Sequence, residues 1–182
     1  MKAPTPLQRE IRQRKPFPSV AQEGVVSVMR TADLLRRRMA AVVEPKGITV
    51  QQFNVLRILR GGGSDGMPTL EVGSRMIEET PGVTRLLDRL EAKGLVRRER
   101  CPKDRRQHLC WITQKGLDLL AGLDAVVIRQ SDEALKGLTR DEQASLVRLL
   151  DQVRAAHRKA RGSKRPAAYP ANSAGRSQGH PR

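Results

Sequence analysis

Cysteine, aromatic residues and acidic side chains are all scarce in this chain of 182 residues. Two cysteines, Cys101 and Cys110, cannot build a disulfide framework, and no apolar run approaches the roughly 18 residues that span a bilayer. The N-terminus, M-K-A-P-T-P-L-Q-R-E-I-R-Q-R-K, is basic but has no apolar block behind it, which speaks against a secretory signal. There is no internal repeat, no phosphate-binding glycine loop, no nucleophile elbow and no H-E-x-x-H helix, so an enzyme would have no residues to stand on. These absences describe a cytosolic protein with neither catalytic machinery nor a cofactor.

Against 19 Asp and Glu stand 35 Lys and Arg, a net charge of +16. The ends, residues 1–19 and 161–182, supply +4 and +5 and read as flexible basic tails, leaving +7 for residues 20–160. Most of that remainder lies in one stretch, Pro81 to Arg106. There Arg85, Arg89, Lys93, Arg97, Arg98, Arg100, Lys103, Arg105 and Arg106 outnumber Asp88, Glu91, Glu99 and Asp104. Charge concentrated on one helix and one hairpin points to a shaped site for phosphate, with double-stranded DNA as the partner.

Hydrophobic spacing orders the rest. Val25, Val28, Met29, Ala32, Leu35 and Met39 recur at helical intervals from Val20 until Pro45 and Gly47 stop them. Thr49 with Gln52 forms a capping-box signal for a second helix, carried by Phe53, Leu56 and Leu59 to the glycines at 61–63. Pro68 and Thr69 open a short third helix over Leu70, Val72 and Ile77. Thr80, with Pro81 at the first helical position, opens a fourth that ends at Gly94. Alternating residues from Leu95, a turn at Pro102 to Arg106 and strand formers from Leu109 to Thr113 predict a β-hairpin. Two further helices follow, one through Leu117, Leu120, Leu123 and Val127, the other behind a Thr139/Glu142 capping box. The predicted fold is mainly α with a small β-hairpin wing: a winged helix-turn-helix at about 49–113 between long helices at about 20–44 and 114–160. Those terminal helices carry more apolar surface than a small domain can bury, which predicts a homodimer.

T-R-L-L-D-R-L-E-A-K-G-L-V-R-R (Thr84 to Arg98), D-R-R (Asp104 to Arg106) and I-T-Q-K-G-L-D-L-L (Ile112 to Leu120), in this order, resemble the multiple-antibiotic-resistance regulator (MarR) family of bacterial transcription factors. The resemblance covers about residues 25–157. It implies a winged, mostly helical fold, dimerisation through the terminal helices, and binding to a pseudo-palindromic operator on cytoplasmic, nucleoid-associated DNA. It further implies a repressor relieved by a small-molecule effector, often an aromatic acid in this family, lodged between the helical and DNA-binding lobes.

On the fourth helix, Val83, Leu86, Leu87 and Leu90 face the protein, leaving Gly82, Thr84, Arg85, Asp88 and Arg89 on the other side. Thr84 and Arg85 in the first turn are candidates for base edges, Arg by a fork to guanine and Thr by its methyl to thymine, and Gly82 allows close backbone approach. The bland reading has Arg85 and Arg89 in helix ion pairs with Asp88 or Glu91. In the wing, Asp104 is placed to pair with Arg106 and aim its guanidinium into the minor groove, while Lys103 and Arg105 touch phosphates. The bland reading of the wing is a solvated hairpin tip. Cys101 and Cys110, with His108 nearby, offer a thiol-sensing or disulfide reading, though C-x-x-C spacing and a four-ligand zinc set are lacking. Two alternatives remain: a sequence-tolerant DNA-coating protein using the same fold, and a protein-interaction module whose winged domain docks an acidic partner.

Overall fold

The computed structural model describes residues 3–78, 82–102, 104 and 106–161, with side chains to residue 157. The chain divides into two compact units, residues 1–134 and 135–182.

In the first unit a short helix, α1 (Pro6–Glu10), precedes the long α2 (Val20–Val43). Composition predicts a flexible tail over residues 1–19, but Thr5 and Gln8 form a reciprocal capping box with Pro6 in the first turn. Gln8 is buried and its amide donates to the Lys15 carbonyl at 3.0 Å, so polar residues fold this segment back on itself. Glu10 then reaches Arg30 of α2 at 2.8 Å.

Ser19 caps α2, whose last residues Met39, Val42 and Val43 enter the core, while Val25, Val28 and Met29 remain exposed. A single 3-10 turn at Glu44–Lys46 leads to α3 (Val50–Arg60), opened by the expected Thr49/Gln52 box. Phe53, Val55, Leu56 and Leu59 of α3 are buried at the centre of the unit, against α5 (Val83–Ala92) and α6 (Gln114–Ala134).

Two expectations need correction. The third helix, α4 (Thr69–Arg75), stops before Ile77, and Leu70 and Ile77 are each 81% exposed; only Val72 of the expected face is buried. The fourth helix, α5, begins at Val83, because Gly82 at its N-cap has φ +104°, outside the helical region. Thr80 and Pro81, expected to open this helix, lie outside the described residues.

The hairpin strands β2 (Val96–Arg100) and β3 (His108–Ile112) pair antiparallel, with Val96 opposite Ile112, Arg98 opposite Cys110 and Arg100 opposite His108. A two-residue strand, β1 (Met67–Pro68), joins the far edge of β3, giving the order β1-β3-β2. Two residues are too few to carry an alternating pattern, so β1 has no signal in the sequence. α6 then runs back along α2, burying Leu120 and Leu123.

The second unit contains α7 (Arg140–Arg161), begun by Thr139, whose hydroxyl and N–H bond the Glu142 carboxylate as expected. Val147, Leu149 and Val153 on α7 are exposed. Among the described residues no helix is long and apolar enough to cross a membrane.

Candidate nucleic-acid interface

α5 is amphipathic in the expected way. Leu86, Leu87 and Leu90 are buried and Val83 is half-buried, while Gly82, Thr84, Arg85, Asp88 and Arg89 are exposed. Gly82 has no side chain with which to cap the first turn, and among the described residues no side-chain cap bond is made there, at the positive dipole end of α5 beside Thr84 and Arg85. A residue with a side chain would be strained at φ +104°; the positive φ is a more direct need for glycine here than close approach alone.

The acids on α5 have a partner, but it is not a neighbour on the helix. Arg98, in the middle of β2, places Nη2 2.6 Å from Asp88 Oδ1 and 2.5 Å from Glu91 Oε2, and its Nε donates to Glu91 Oε2 at 3.0 Å. The main-chain N–H of Arg98 also donates to Glu91 Oε1 at 3.1 Å. The Glu91 hydrogen bond, ahead of the opposing effect of burial and with help from Asp88, raises the Arg98 pKa above its ordinary value. With Asp88 and Glu91 engaged by Arg98, the bland pairing of Arg85 or Arg89 with them is not seen, and neither arginine joins an ion pair among the described residues.

The wing departs from expectation at its tip. Asp104 does not hold the Arg106 guanidinium: its Oδ1 accepts from the main-chain N–H of Arg106 at 3.0 Å and its Oδ2 from the Gln107 amide at 3.0 Å. An Asp side chain is short enough to reach the N–H two residues ahead, and this closes the turn locally. Arg106 is exposed, and Lys103 and Arg105 lie outside the described residues. Lower on the hairpin, Arg97 stacks over Trp111 at 4.1 Å and pairs with Glu99.

The cysteine pair is separated by the register. The Cys101 N–H donates to the Gln107 carbonyl at 2.9 Å, so Cys101 stands across from Gln107 while Cys110 stands across from Arg98. Three residue steps amount to about 10 Å along the strand, and the odd offset puts the side chains on opposite faces. An intramolecular disulfide is thereby excluded without rebuilding the hairpin. Cys110 is buried beside the Thr69 hydroxyl at 3.5 Å, and among the described residues no cluster of His, Cys, Asp and Glu could hold a metal.

Residues 48–108, from just before α3 to the first residue of β3, match the MarR family. The chain is 32% identical over 143 residues to the HTH-type transcriptional regulator TtmR of Methylorubrum extorquens, covering 78% of this chain and 71% of that protein. It is also 35% identical to a MarR transcription factor of Planctomyces limnophilus of known structure, covering 75% of this chain and 99% of that one, with a TM-score of 0.59. The chain belongs to the MarR family. It is thus a DNA-binding, helix-turn-helix transcriptional regulator. Sco3205, a MarR-family regulator of Streptomyces coelicolor whose structure contains DNA, shares its fold at a TM-score of 0.68 and 22% identity, covering 77% of this chain and 93% of that one.

In this MarR-family regulator, sequence reasoning singled out the exposed face of α5 but missed the contacts of Arg98 with Asp88 and Glu91, counting Arg98 only among the basic residues of the Pro81 to Arg106 stretch. The helix period that sorts α5 into two faces carries no information about a strand residue seven positions beyond Glu91. It also missed the contact of Trp111 with the glycine-rich loop before β1, which joins segments more than forty residues apart.

Proposed function

We propose that the chain acts as a homodimeric repressor that occupies a pseudo-palindromic operator and is released by a small-molecule effector. α5 is the recognition helix. Thr84 and Arg85 read base edges in the major groove, Gly82 brings the helix start against the backbone, and Arg89 holds a phosphate. Arg106 reaches the minor groove from a turn closed by Asp104, and Lys103 and Arg105 bind flanking phosphates. The observation that carries this reading is the division of charge on α5: Asp88 and Glu91 are occupied by Arg98, while Arg85 and Arg89 are exposed without an acidic partner among the described residues.

Dimerisation is supported by apolar side chains left exposed on the long helices, Val25, Val28 and Met29 on α2, Ile128 on α6, and Val147, Leu149 and Val153 on α7. Two recognition helices would then meet half-sites about one helical turn apart. An effector that changed their separation would lower affinity by favouring a second arrangement of the dimer. The family resemblance supports both repression and an effector.

Arg85→Ala tests the assignment. Preference for operator over scrambled duplex should fall by roughly 1–3 kcal/mol, with the fold unchanged. A small, uniform weakening on every sequence would favour the sequence-tolerant coating protein instead. Sedimentation at micromolar concentration should give about twice the 20.3 kDa chain mass; a monomer would remove the dimer.

A further inference from the structure

We propose that Arg98 is a positioning residue that locks the wing to the recognition helix, so that the major-groove and minor-groove readers meet DNA as one rigid piece. This deepens the proposed function and rests on it. The geometry is that of a clamp. Asp88 and Glu91 are three residues apart on α5, so their carboxylates share a face of its C-terminal half. One guanidinium from β2 engages both, and Glu91 additionally takes the Arg98 main-chain N–H, so side chain and strand backbone are held together. The Arg98 side chain is only 17% exposed, while Asp88 and Glu91 are 51% and 39% exposed, so water and salt reach the pair from the carboxylate side alone.

The other side of the same rung is also anchored. Arg98 stands opposite Cys110, which is buried and contacts Thr69 at the start of α4. The hairpin is therefore gripped at one level from two helices of the helix-turn-helix, while its tip beyond Arg100 shows, among the described residues, the local bonds of Asp104 and Gln107. A lever held at its base and free at its tip turns a small error at the base into a large displacement at Arg106. Arg fits the role because its fork can meet two carboxylates at once, which a lysine ammonium on a flexible stem does poorly.

The test is a double-mutant cycle on operator affinity, comparing Arg106→Ala in the wild-type and in the Arg98→Gln protein. With the clamp intact, Arg106→Ala weakens binding roughly tenfold, and in Arg98→Gln the same change costs less than about twofold, because the tip is no longer held to the groove. Discrimination by Arg85 persists at roughly tenfold in Arg98→Gln, since α5 is still seated by Leu86, Leu87 and Leu90. An Arg106 effect of equal size in both backgrounds overturns the proposal, as does loss of the Arg85 and Arg106 effects together, which would mark a merely structural role. Arg98→Lys should give an intermediate coupling, and it serves with Glu91→Gln if Arg98→Gln does not fold. If neither Arg85→Ala nor Arg106→Ala alters wild-type binding, the DNA-reading assignment itself has failed, and the clamp falls with it.

Discussion

Trp111 closes over Gly66. The indole N–H donates to the Ser64 carbonyl at 2.9 Å, and a Cβ placed on Gly66 would lie 2.4 Å from the ring. Arg97 covers the indole ring at 4.1 Å. The loop before β1 is thus fastened to the wing by the chain's single tryptophan, at a position where φ is +76°.

Gly66→Ala should therefore destabilise the protein on two counts, left-handed backbone and collision with the indole, by about 2–4 kcal/mol. Chemical denaturation followed by Trp111 fluorescence would measure it, with an emission shift toward the red in the native baseline as the loop lifts away. A midpoint within error of wild type would mean that the loop is not fixed by this contact.

The layer beneath the recognition helix offers a second quantity. Leu87 is fully buried, and Leu87→Ala should lower unfolding free energy by about 2–5 kcal/mol through lost transfer energy and the cavity left behind. DNA affinity measured well below the new midpoint should change much less than it does for Arg85→Ala, because Leu87 packs α5 without facing the groove.

Burial raises the Cys110 thiol above its ordinary pKa, an effect opposed by the Thr69 hydrogen bond and the Arg98 charge. The sign follows from linkage: the unfolded chain ionises first, so this contribution to stability is complete below the unfolded pKa of about 8.5 and is lost as pH rises through the folded value. Cys110→Ala should reduce the decline in midpoint above about pH 8.5 relative to wild type. In native protein a soluble alkylating reagent should label the half-buried Cys101 well before the buried Cys110, and mild oxidation should give no Cys101–Cys110 link on a non-reducing peptide map. A link would contradict the hairpin register.

Much of this was legible in the chain. Capping boxes at Thr49/Gln52 and Thr139/Glu142 mark helix starts because both partners lie within four residues, and the Leu86, Leu87 and Leu90 face follows from helical period alone. The Thr5/Gln8 box carried the same signal, but the surrounding basic and proline-rich composition obscured it. What the sequence hid are relations across turns. Arg98 reaches back to Asp88 and Glu91 through the α5–β2 turn, and Asp104 spends its carboxylate on a main-chain N–H where the arginine two residues on suggested a charge pair. Such choices depend on backbone direction at one or two residues, which charge and period do not encode.

The most direct test of the central claim is selection of bound sequences from random duplex DNA at about 0.15 M salt, followed by titration of the enriched site against scrambled duplex. The account predicts an enriched inverted repeat with half-sites about one helical turn apart, preferred by roughly a thousandfold or more. Tight but salt-sensitive binding to every duplex, with no enriched motif, would contradict it.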